Sequence, residues 1–337
     1  MRKALVSLVC VLACLWVGYI WGQKESAGPL FPIFPGGKYG YIDKLGTVVI
    51  KPQFDGAAQF FSGGLASVMV GNKWGYVNTE GAVMIQPQFD EAWAFSDGLA
   101  AVRVGEKWGF VDKKGTMRIE AKLQKVQTFS DGLAAVSTGD KNGYIDTTGK
   151  MVIEPIYAWA CSFAEGVAAV QVRGKWGYID KTGKTIIEPQ FDDARCDDSR
   201  PDGPRSFAEG LAPVSVNGKW GDIDKAGKMV IQPQFEVAQF FSEGLGAVMV
   251  EGKFGYIDKT GAMIIKPRFD EAGDFGSGLA AVQVNGKWGY IDKQGKDVIK
   301  LQYNRAEGFS GGLALVKMDS KIAYIDAKGK VVWGPAD

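Results

Sequence analysis

The sequence predicts an all-β fold: tandem three-stranded units of about 34 residues, stacked as an open, twisted, solenoid-like array. Three observations carry this. The phrase "GKWGYIDKTGK" at 174–184 returns nearly unchanged at 218, 252 and 286. The glycine of "KWGYID" recurs at Gly40, Gly75, Gly109, Gly143, Gly177, Gly221, Gly255 and Gly289, with Ala323 as the ninth member. Every step is 34 or 35 residues except one of 44, which holds a ten-residue insert, "CDDSRPDGPR", at 196–205. Finally, apolar and β-branched residues come in short runs bounded by Gly and Pro, without capped runs of helical period.

Within a unit the first strand is "KWGYID". "DKTG" then turns the chain, with the Asp side chain bonding the turn backbone. The second strand, "KTIIEP", ends at proline, which cannot donate to a central ladder. An irregular arm follows, such as "QFDEAWAFSDG" at 88–98. The third strand, "LAAVQV", leads through a two-residue hairpin such as Asn217-Gly218 into the next "KWG". A single unit has too little apolar surface to offset the entropy of ordering its own chain, so neighbours must bury each other's faces.

The termini bear on whether the stack closes. Nine first hairpins face only eight "GLAAV"-type strands, and the chain ends on "IAYIDAKGKVVW", a hairpin of the same kind as the opening "KYGYID". A ring closed by its ends needs complementary halves rather than duplicates. The open array with hairpin caps is therefore the expectation, and a closed propeller-like ring is the alternative.

The pattern "GKWGYIDKTGK…IIEPQFDDA…EGLA" resembles the bacterial WG repeat, also called the KWG repeat, over residues 38–334 in nine copies. The resemblance implies a β-rich repeat fold and brings no catalytic residues. Departures are local: the tryptophan becomes Tyr39, Asn142, Phe254 or Ile322, and the proline becomes Ala121 or Leu301.

The N-terminus is a separate object. Arg2 and Lys3 precede an apolar run from Ala4 to Trp21, so residues 1–22 read as an export signal or membrane anchor. A cleaved signal peptide is favoured; an uncleaved anchor and lipidation at Cys14, after "VLA", stay open. Each delivers the repeats outside the cytoplasm, to the bacterial envelope or beyond. Residues 23–37 read as a Pro/Gly linker.

Composition excludes several functions. Charge is balanced, 39 basic against 38 acidic residues, which argues against nucleic acid as a partner. The chain has no histidine, the commonest general base and metal ligand. No catalytic motif, metal site or cofactor site is expected. Trp74, Trp108, Trp176, Trp220 and Trp288 hold one register and read as core. The carboxylates from Asp43 to Asp326 at the "DKTG" turn read as turn caps, and the insert as a solvated loop without the alternate ligands of a calcium site.

Residues that break the pattern are the better binding candidates. Trp93 replaces Gln59, and Trp159 stands where other units carry Ala57, Glu91 or Lys125. Phe60 and Phe240 are extra aromatics on the same arm. Cys161 and Cys196, 35 residues apart, are expected to form a disulfide between adjacent arms. The function this suggests is a non-catalytic exported scaffold for protein partners. A carbohydrate or cell-wall binding module using Trp93 and Trp159 is the second class.

Overall fold

The computed structural model describes residues 28–59, 61–194, 196 and 206–336. The apolar N-terminal segment with Cys14, Phe60 and nearly all of the insert lie outside the described residues. The rest forms nine antiparallel sheets, eight of four strands and one of three. Each sheet is a blade. Blade 2 shows the plan: an arm strand Gly56–Ala57, then Leu65–Val70, Lys73–Asn78 and Val83–Phe89 in spatial order. The arm is thus a fourth strand rather than irregular chain. It spans two residues in blade 2 and six in blade 3, as Glu91–Ser96, where four residues pair on either side of a bulge at Trp93 and Ala94. Its alanines, such as Ala92 and Ala238, are buried where the arm crosses the preceding blade.

The arms mark the inner edge. Sheets set radially about an axis converge there, and arms of successive blades bond one another: Ser242 Oγ donates to Phe275 O at 2.8 Å and Ser162 Oγ to Gln127 Oε1 at 2.9 Å. The proline-containing strands form the outer edge, where Met84, Ile156 and Ile264 are exposed. At the turn, Asp180 Oδ1 accepts from Thr182 N and Lys184 N at 2.9 and 3.0 Å.

The array is not open; it closes into a nine-bladed propeller. Counting hairpins missed the ninth inner strand, because its sequence looks nothing like "GLAAV". Phe31–Ile33, within the stretch read as a tether, pairs with Tyr39–Ile42 in the register that the Leu65–Val70 strand takes in blade 2. It then packs against the last blade. Phe31, Ile33 and Ile42 share a buried cluster with Leu313 and Tyr324. The Phe31 and Tyr324 rings lie 5.5 Å apart, and the Tyr324 hydroxyl donates to Pro32 O at 2.9 Å. Gln59 Nε2 reaches Glu307 Oε2 at 2.9 Å across the same seam.

This closure repeats the contact used throughout the ring. The "KWGYID" tyrosine of one blade donates to an arm carbonyl of the next: Tyr41 to Ala58, Tyr76 to Trp93, Tyr144 to Cys161, Tyr256 to Gly273 and Tyr290 to Glu307, all at 2.7–2.9 Å. Its ring meets the next blade's arm phenylalanine edge-on, as in Tyr144–Phe163 at 4.8 Å.

The glycine of "KWG" has a steric cause. The outer strand bulges there, and a Cβ on Gly40 would lie 2.5 Å from the Ile50 carbonyl oxygen. Blade 9 carries Ala323 instead and moves the glycine across the pair: a Cβ on Gly334 would sit 3.2 Å from the Ala323 Cβ.

Closure can be tested at its seam. Phe31→Ala is expected to lower stability by about 3–5 kcal/mol in equilibrium unfolding, the usual cost of deleting a buried aromatic. Stability unchanged by Phe31→Ala would mean that the ends do not meet.

Candidate functional site

Two inter-blade supports recur at the outer end of the arms. The first is the tryptophan itself, which fills the space over its own arm; in blade 2 the Trp74 ring closes on Gly56 and Met69. The second is an acid that follows the outer strand. Asp90 takes Lys73 Nζ of one blade at 2.6 Å and the Gly105 amide of the next at 2.7 Å, and these bonds hold its carboxyl below the usual carboxylate range. Asp55, Asp192 and Asp270 repeat both contacts.

Both supports are missing between blades 4 and 5. Asn142 stands at the tryptophan position and Ala158 at the acid position. A cavity of about 370 Å³ opens there. Its floor is Asn142, held by two bonds: Ser137 Oγ donates to Asn142 Oδ1 at 2.6 Å, and Asn142 Nδ2 donates to Ala158 O at 3.0 Å. Lys125, Asp140 and Trp159 line it as well. Trp159 is 55% exposed.

The arm candidates separate here. Trp159 is on the surface, and the strand register aligns it with Gly56 rather than Ala57. Trp93 is half-buried against Trp108, ring centroids 4.6 Å apart. Phe240 is 2% exposed and belongs to the interior, so it is unavailable to a partner; it sits in a bulge of its arm strand, Val237–Ser242, between the paired Ala238 and Phe241, and the bulge lets the extra apolar ring pack inward. Phe60 lies outside the described residues. Asn142 carried a signal in the sequence: it is the one polar amide in a column of Trp, Tyr, Phe and Ile.

Cys161 and Cys196 are bonded, with Cα atoms 5.9 Å apart, and tie the arms of blades 5 and 6. Cys161 follows Trp159 by two residues, so the bridge anchors the arm that walls the cavity. In blade 6 the tyrosine position holds Asp222, 1% exposed, and neither carboxylate oxygen has a hydrogen-bond partner among the described residues. Burial pushes its pKa up to about 7. Among the described residues the Tyr178 hydroxyl of the preceding blade is also without a partner; burial first, and then the Asp222 and Asp193 charges, raise its pKa.

Two outcomes follow from these contacts. Cys161→Ser removes a cross-link over 35 residues and is expected to cost roughly 3–4 kcal/mol in the chain-entropy account, read by unfolding without reductant. Two alkylatable thiols at 161 and 196 in the unreduced, unfolded chain would contradict the bridge. A carboxyl whose folded pKa lies above its unfolded value binds more protons when folded. Its contribution is therefore full below about pH 4 and is lost as the pH rises through about 7. Asp222→Asn should remove that decline, at most about 4 kcal/mol between pH 4 and pH 8, and parallel stability–pH curves for both chains would refute it.

Among solved structures the chain is similar to one described as a crystal structure of the eukaryotic initiation factor: TM-score 0.64 at 11% identity, covering 91% of this chain and 95% of that one. At that identity the likeness shows the propeller fold alone. A dihydro-heme d1 dehydrogenase, NirN, aligns at TM-score 0.46 and 12% identity over 92% of this chain and 73% of its own. No curated protein matches the sequence. The profile of the WG containing repeat matches nine times, over residues 39–74, 74–108, 108–141, 143–176, 176–198, 205–220, 221–254, 254–288 and 288–321. The chain belongs to the WG-containing-repeat family, here built as a nine-bladed ring.

Proposed function

We propose that this protein is a non-catalytic scaffold that holds protein partners outside the cytoplasm, at the bacterial envelope. One observation carries the reading. The columns that build the ring are nearly uniform, whereas the first arm position differs in every blade but two: Gly56, Glu91, Lys125, Trp159, Asp193, Val237, Glu271 and Arg305. Five of these eight, Lys125, Trp159, Asp193, Glu271 and Arg305, are exposed. A fixed frame that displays a varied, charged and aromatic circle suits recognition of a polypeptide surface; a repeated reaction would need one chemistry kept. The Cys161–Cys196 bridge supports an oxidising compartment.

The test is capture of envelope proteins on the folded repeats, compared with a variant carrying Lys125→Ala, Glu271→Ala and Arg305→Ala. The expected result is a discrete partner lost from the variant and kept by a control with Met84→Ser on the outer edge. A partner kept by the arm variant and lost by the control would move binding to the rim and refute the arm circle.

A further inference from the structure

We propose that the cavity between blades 4 and 5 is a binding site for a neutral sugar ring, the terminal residue of a glycan. The site is built by loss of the two groups that fill this place elsewhere, the tryptophan and the acid. Loss of either alone would be a defect for neighbours to close over. Here both are gone, and the room they leave is kept open by bonded polar groups.

The chemistry of the walls decides the class of ligand. Asn142 spends one amide hydrogen on Ala158 O and one lone pair on Ser137. A primary amide has two donors and two acceptor lone pairs, so one of each remains for a ligand. That pairing suits adjacent hydroxyls, which both give and accept. Lys125 and Asp140 carry opposite charges at the same cavity, so the site has no net preference for an anion or a cation. Trp159 supplies a large exposed π face at the rim. A sugar ring has a face of C–H groups for the indole and an edge of hydroxyls for the amide; an apolar ligand would leave the polar floor unpaired. The volume, about 370 Å³, is at the small end for a ligand cleft, which fits a single ring.

The platform is also held in place. Trp159 lies between the pairing of its strand with Gln171 and the anchored Cys161, whose carbonyl accepts from the Tyr144 hydroxyl at 2.7 Å. A stacking surface fixed before binding loses less entropy when a ligand arrives.

This inference needs no protein partner, so its failure leaves the scaffold reading standing. The experiment is calorimetry and ligand-observed NMR on the oxidised, folded repeats with millimolar cellobiose, maltose and diacetylchitobiose. Two variants accompany the parent: Trp159→Ala, which removes the platform, and Asn142→Trp, which refills the slot with the family's own residue. At least one disaccharide should bind the parent and weaken by more than about tenfold in both variants, while the melting temperature of Asn142→Trp holds or rises. No binding of any of the three to the parent would overturn the proposal. So would undiminished binding to Asn142→Trp, which would place the sugar elsewhere.

Discussion

The structure depends on a tyrosine that seven of the nine blades lend to the next. A buried phenol is tolerated only when its hydroxyl finds a partner. For Tyr41, Tyr76, Tyr144, Tyr256 and Tyr290 the partner is a backbone carbonyl of the neighbouring arm. The bond therefore fixes distance as well as satisfying the hydroxyl. The arm cannot slide without stranding a donor, and the phenylalanine that closes over the ring cannot leave without exposing both. Blade 3 confirms the logic from the other side. It carries Phe110, which packs on Phe129 at 4.7 Å and has no hydroxyl to satisfy. A column that accepts Tyr or Phe is a packing column first and a hydrogen-bonding column second.

The same contact explains why the ends meet. In an open stack the last tyrosine would have no arm to receive it. Tyr324 and the adjacent apolar face would then stay in water, as would the matching face of blade 1. Phe31–Ile33 removes both costs with one short strand. It is blade 1's counterpart of the Leu65–Val70 strand, and Pro32 offers the carbonyl that Tyr324 needs. Closure is thus the nearest-neighbour rule of a repeat protein applied once more, across the termini.

Much of this was legible in the sequence. Of the tryptophan column, expected in the core, only Trp176 is buried, and Trp74, Trp108, Trp220 and Trp288 are half-buried. The repeat length, the strand order within a unit and the turn role of Asp180 and its equivalents follow from local pattern. Those features are set by residues a few positions apart. The closure was not legible, because "LFPIF" matches "GLAAV" neither in size nor in composition; only its pairing across blade 1 and its burial against Leu313 and Tyr324 assign its role. Phe240 misled for a related reason. An extra aromatic on an arm reads as display, yet in this blade the arm bulges at Gln239 and Phe240 between paired residues and the side chain turns into the interior. The candidate site fell between these cases. Asn142 and Ala158 could be seen as departures in two separate columns, but a column does not say that the two positions face one space.

That space sits in an unequal part of the ring. Between Asn142 and Asp222 lie the emptied tryptophan slot, the exposed Trp159, the disulfide, the insert and the unpaired Tyr178–Asp222 pair. Each departure removes a support that the repeat supplies elsewhere, and together they would loosen the sector. The disulfide runs the other way. It ties the arms of blades 5 and 6, across the junction where Tyr178 finds no acceptor among the described residues and beside the one where Ala158 has replaced the acid. A covalent tie placed at that point lets the sector give up packing without giving up position. A binding site asks for that combination: room for a ligand, and walls that do not move into it.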